Sequence, residues 1–167
     1  MSRIACQRRA AIMAVILLAI GLLTATRLIV NVTPSVPLGF YWSHHRAPER
    51  GDFVLIALPP QSRDFAIGRG YMRDDHHLLK KVAAMGGDRV CRHRFSVWIN
   101  GHIRVWARRN DALGRALPEW SGCRQLNSGE LFVFGTHRSS FDSRYFGPIL
   151  RSDVVTVANP LWVWRAD

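Results

Sequence analysis

From Ala10 to Thr26 the chain carries no charged side chain, and past Arg27 the apolar character resumes at Leu28-Ile29-Val30. A run from Ala10 through Val30 has the length that spans roughly 30 Å of hydrocarbon as an α-helix, with Arg27 near one end where its side chain can reach the headgroups. After Asn31 the pattern breaks into short apolar runs separated by glycine, proline, asparagine and serine, which predicts a mainly β domain with little helix. Strands are expected over Asp52 to Leu58, Leu78 to Ala83, Phe95 to Ile99, Ile103 to Ala107, Leu131 to Phe134, Val154 to Ala158 and Leu161 to Trp164. Asn100-Gly101 joins two of these as a two-residue hairpin, since both residues tolerate positive φ, with Trp98 opposite Val105 or one register away. Pro59 to His77 is polar and contains glycine, so it reads as a long loop. No internal repeat or low-complexity segment interrupts the pattern, and 167 residues leave one hydrophobic core beyond the N-terminal run.

Charge gives the run a direction. Arg3, Arg8 and Arg9 precede it, and basic flanks stay cytoplasmic. The expected organisation is therefore residues 1–30 as a cytoplasmic N-terminus and single transmembrane helix, and residues 31–167 as a domain on the far side. Thr24-Ala25-Thr26 also has the small residues of a signal-peptide cleavage site, which would leave a soluble exported domain. Retention is the preferred reading, because cleavage would release Ser35 from the bilayer beside which it is placed. Cys91 and Cys123 both fall in the exported part, where an oxidising compartment allows them to pair; the alternative is two buried thiols. The chain has a net charge of +11, and its arginines from Arg46 to Arg165 are scattered without a dense tract, which favours anionic lipid headgroups over nucleic acid as the polyanion met.

Candidate chemistry starts at Ser35, in Thr33-Pro34-Ser35-Val36-Pro37, where prolines fix φ and remove backbone donors just past the apolar run. A serine nucleophile needs a base, either a histidine or a lysine stripped of solvent. Only two of the 23 basic residues are lysines, Lys80 and Lys81, and both lie inside the apolar segment Leu78 to Ala84. In a strand they point to opposite faces, and burial of either would depress a pKa that is ordinarily near 10.4 by about 3 to 5 units. A triad of Ser35, His137 and Asp142 is the histidine alternative. His44-His45 and Asp74-Asp75-His76-His77 contain metal-ligand residue types, but adjacent histidines diverge and no zinc-site spacing is present. No cofactor or metal is implied.

Ser35-Val36-Pro37, Arg50-Gly51-Asp52-Phe53-Val54, Lys80 through Val90 and Ser140-Phe141-Asp142-Ser143-Arg144-Tyr145-Phe146-Gly147 follow one another in the chain. Together they resemble, in order, the motifs of the signal peptidase family of serine-lysine proteases, peptidase S26. The resemblance implies a signal-peptidase-like β fold with Ser35 as nucleophile and Lys80 as general base. It further implies that Ser140 orients the lysine, that Asp142 and Arg144 form a bracing ion pair, and that Thr33 supports an oxyanion hole at the Ser35 backbone N–H. Val36, Gly86 and Gly135-Thr136-His137 depart from the housekeeping signal peptidases and lean toward the conjugal-transfer, TraF-type branch. So do Pro37-Leu38-Gly39-Phe40-Tyr41-Trp42, Arg69-Gly70-Tyr71-Met72 and Trp120-Ser121-Gly122-Cys123. That branch implies a peptidase of the bacterial inner membrane with its catalytic domain in the periplasm. Its substrate would be a precursor protein, a propilin above all, and its setting the conjugation pilus machinery, with cleavage or cyclisation as the outcome. A general leader peptidase, or a non-catalytic envelope component of a pilus or secretion apparatus, are the competing readings.

Overall fold

In the computed structural model, residues 8, 9, 11–16, 21 and 27–164 are described. They fold as two antiparallel sheets. The larger has the order β1-β2-β11-β3-β4-β9-β10, from β1 (Leu28–Asn31), β2 (Leu38–His44), β3 (Phe53–Ile56), β4 (Leu78–Met85), β9 (Glu130–Phe134), β10 (Ile149–Leu150) and β11 (Val154–Trp164). The smaller has the order β7-β6-β5-β8, from β5 (Arg89–His93), β6 (Ser96–Ile99), β7 (Ile103–Trp106) and β8 (Gly122–Gln125). Alternating burial along β2 and β3 shows one face of each turned inward. Val54, Ile56, Val82, Leu131, Val133 and Val157 form the main core. A second cluster of Ala84, Val90, Val97, Ile99 and Phe132 joins the sheets where β4 runs on into β5.

The mainly β expectation agrees with this architecture, and the departures from it have local causes. The expected membrane span has residues 10, 17–20 and 22–26 outside the described residues, among which no helix is long and apolar enough to cross a membrane. Its last part is corrected: Leu28, Ile29 and Val30 are not helical but pair with Trp42, Tyr41 and Phe40 as an edge strand. β-branched Ile29 and Val30, with Leu28 before them, meet the edge of β2 not taken by β11 and gain a ladder of hydrogen bonds there. Pro59 to His77 is not wholly loop, since Pro60–Gly68 is helical, with Pro at its start and only Ala66 fully buried. A helix so thinly buried leaves little apolar periodicity to read. Val154 to Ala158 and Leu161 to Trp164 are one strand. Pro160 does not break it because β3 pairs only as far as Ala158, so no ladder donor is needed on that side. The expected two-residue hairpin is corrected to a three-residue loop, Asn100-Gly101-His102, because Ile99 pairs with Ile103; Asn100 and Gly101 both have positive φ, 52° and 72°, and Val97 faces Val105, one register from Trp98.

Candidate active site

The turn between β1 and β2 carries Ser35, and one buried side chain shapes it. Asn31 Nδ2 donates to the carbonyls of Thr33 (2.9 Å), Val36 (3.1 Å) and Pro37 (2.9 Å). Asn31 Oδ1 accepts from the Thr33 N–H at 3.3 Å and from Thr33 Oγ1 at 3.0 Å. Pro34 and Pro37 have no N–H to contribute, so the amide replaces bonds that the backbone cannot make. From the other side, the Ser35 carbonyl accepts from the N–H groups of Thr136 at 2.6 Å and His137 at 3.4 Å. The Ser35 hydroxyl is left half-buried, 3.4 Å from Thr33 Oγ1 and 3.4 Å from the Leu79 carbonyl on β4.

Strand alternation then separates the two lysines. Lys81 is exposed with its ammonium 5.7 Å from the Phe53 ring centroid, whereas Lys80 is 2% exposed. The neighbouring strand β9 ends at Phe134, opposite Lys81, so the chain leaves the sheet beside Lys80. The following loop returns Ser140 to that place, where Lys80 Nζ donates to Ser140 Oγ at 2.7 Å. Gly135 permits the return, because a Cβ there would lie 2.0 Å from Ser140 Oγ and 2.7 Å from the Ser35 carbonyl oxygen. Burial pushes the Lys80 pKa down from 10.5 to about 8; Asp142 opposes the shift and Arg144 adds to it.

Asp142 and Arg144 pair at 2.6 Å, with side-chain exposures of 0% and 5%. The Asp142 carboxylate also accepts the N–H of Gly135 at 2.8 Å. The guanidinium donates to the carbonyls of Trp106, His137, Arg138 and Ser140, so the pair holds the whole loop 135–144 in shape. His137 lies exposed at the rim with Nδ1 2.7 Å from Ser139 Oγ. Asp142 is committed to Gly135 and Arg144, and Ser35, His137 and Asp142 are not brought together as a relay. Ser35, Lys80 and Ser140 instead line one cleft of about 300 Å³, together with Leu78, Leu117, Phe141 and Tyr145. A hydroxyl and a desolvated amine in a largely apolar cleft are the parts that acyl transfer requires.

A disulfide joins Cys91 on β5 to Cys123 on β8. Two residues shape the site in ways the sequence does not announce. Asn31 reads as the polar end of an apolar run, and Gly135 carries meaning in the sequence only as part of Gly135-Thr136-His137, with no packing role. The proline-flanked serine needing an outside donor was the available signal for Asn31.

The family model described as signal peptidase, peptidase S26, matches residues 4–164. The chain belongs to this family. Within it, the chain falls in the TraF-type branch. It is 35% identical over 147 residues to a plasmid transfer protein TraF of Escherichia coli, covering 81% of this chain and 82% of that one. To the conjugal transfer protein TraF of Agrobacterium fabrum it is likewise 35% identical over 147 residues, with 81% and 82% covered. Among solved structures it is similar to a signal peptidase I from Enterococcus faecalis, with a TM-score of 0.40 and 21% identity over 67% of this chain and 97% of that one.

Proposed function

We propose that this peptidase is a membrane-anchored serine endopeptidase that matures exported precursor proteins, above all a propilin in conjugative transfer. The observation that carries the reading is Lys80, buried to 2% exposure yet lining the same cleft as Ser35. With its pKa near 8, about a tenth of Lys80 is neutral amine at pH 7, and that form accepts the Ser35 proton as Oγ attacks the scissile carbonyl. Negative charge on the carbonyl oxygen is met by the Ser35 N–H, with the Thr33 hydroxyl beside it. The lysine then returns the proton to the leaving amine, and the acyl-serine is taken by water or by an amine held nearby, which gives a cut or a cyclised product. Ser140 orients Nζ throughout.

The membrane reading draws on Val30, Val32, Leu161, Trp162 and Trp164, all exposed on or beside β1 and β11, and on the apolar run that precedes them. The TraF relatives support the conjugative setting over a general leader peptidase. Purified full-length protein and its Ser35→Ala variant, incubated with a pilin precursor, provide the test. Processing by the parent and none by a folded variant is expected; equal processing by both overturns the nucleophile. Mass spectrometry of the product separates a linear chain from one lighter by a water.

A further inference from the structure

Arg92 on β5 has a side chain only 1% exposed, and it does not line the cleft. Its Nε donates to the Arg94 carbonyl at 2.9 Å, and its Nη1 to the carbonyls of Pro118 at 3.3 Å and Arg144 at 2.5 Å. The carboxylate nearest it, that of Glu119, is 3.8 Å away and itself 54% exposed. A buried guanidinium with so distant and solvated a counter-charge is a costly way to fill space, and an apolar side chain would avoid its desolvation. What the charge secures is the backbone of Arg144, the residue that binds Asp142 and the Ser140 carbonyl. Trp120, just before β8, grips the same short helix (Ser143–Phe146), donating from Nε1 to the Ser143 carbonyl at 3.1 Å. Next to Arg92, the Cys91–Cys123 bridge pins β5 to β8.

We propose that Arg92 is a positioning residue through which the disulfide-clasped small sheet holds the Ser140–Arg144 loop against Lys80. Its use in catalysis rests on the reading of Lys80 as the base; the positioning does not. The route is short: Arg92 holds the Arg144 carbonyl, Arg144 Nη2 holds the Ser140 carbonyl at 3.2 Å, and Ser140 Oγ holds Lys80 Nζ. With the loop loosened, water reaches the Lys80 amine and its charged form recovers. The ionised groups acting on Lys80 from that loop are Asp142 and Arg144. Arg108, Asp111 and His137 line the cleft it faces, while Val54 opposes it from β3 and Lys81 points to the other face.

Because the chain has only two lysines, 13Cε-lysine labelling reads Lys80 directly, with exposed Lys81 as internal reference. In the full-length Ser35→Ala protein in detergent, adding Arg92→Gln is expected to raise the Lys80 titration midpoint by about one pH unit, leaving roughly a tenth as much neutral amine at pH 7. On the Ser35 background, Arg92→Gln is expected to lower kcat at pH 7 about tenfold with KM within about twofold, and to regain wild-type kcat at alkaline pH. General destabilisation would not be rescued in this way. A folded variant with an unmoved Lys80 midpoint overturns the proposal. Should Arg92→Gln lack a cooperative melt, the Cys91→Ser/Cys123→Ser double variant decides: a smaller upward shift supports the brace and no shift overturns it. A shifted midpoint with unchanged cleavage at every pH keeps the brace and refutes Lys80 as base.

Discussion

The two sheets treat charge in opposite ways. Where β4 and β9 of the larger sheet meet the loop 135–144, Lys80, Asp142 and Arg144 are all buried, Lys80 bonded to Ser140 of that loop and Asp142 paired with Arg144. On the smaller sheet Arg89, Arg94 and Arg124 stay exposed, and among the described side chains there only one arginine, Arg92, turns inward. The contrast shows how burial changes the charge that an ordinary ionisable side chain carries. In water a lysine is a cation and nothing more, whereas enclosed by β4, Ser140 and the cleft wall it is poised near neutrality. Energetically the same burial makes the larger sheet vulnerable at a few positions where the smaller one is tolerant.

The sharpest test of that contrast is Asp142→Asn, which leaves Arg144 as a buried charge without its counter-ion. A loss of about 3–5 kcal/mol in unfolding free energy is expected by denaturant titration. A loss under about 1 kcal/mol would mean that the pair is better solvated than its exposures of 0% and 5% suggest.

Next in size is Lys80→Met, expected to abolish cleavage while stabilising the fold. The folded pKa of about 8 lies below the unfolded value of about 10.4, so between them the unfolded chain binds more protons and wild-type stability rises with pH. Below about pH 8 the full cost of the buried ammonium is present, about 3 kcal/mol, and Lys80→Met removes it. Melting curves of the two proteins should differ most near pH 7 and converge above about pH 10. Wild-type activity should climb over the range in which Lys80 loses its proton. A plateau by about pH 7, together with an inactive His137→Ala, would return the role of base to the histidine.

Smaller effects are expected at the exposed counterparts. Lys81→Ala, on the opposite face of β4, should change kcat/KM by less than about threefold, and a loss as large as that of Lys80→Ala would reverse the assignment. Smallest of all, Arg124→Ala breaks a surface pair with Glu130 at 2.6 Å and should cost less than about 1 kcal/mol in thermal unfolding.

Much of this molecule is legible from short-range pattern. Asn100-Gly101 names its hairpin because only a few residue types accept two successive positive φ angles. The strand cores Phe53–Ile56, Leu78–Met85 and Glu130–Phe134 announce themselves by apolar runs between turn residues. Leu38–His44 is hidden in the sequence because Gly39 and a polar end mask its alternation, and Leu28–Asn31 because it continues the apolar run from Ala10. Composition can count apolar residues there but cannot say whether lipid or a neighbouring strand receives them.

The order of the motifs by itself determined the family, the mainly β class and the segments that carry the site, since each is a property of residues close together in the chain. Only the tertiary structure decided which lysine is buried, that Asn31 ties the Ser35 turn, that Gly135 must lack a side chain and that Arg92 reaches Arg144. Those facts depend on contacts between residues as far apart as Ser35 and Thr136, or Arg92 and Arg144. Burial and close approach are set by what the rest of the chain brings alongside, and a pKa near 8 exists only once water has been shut out.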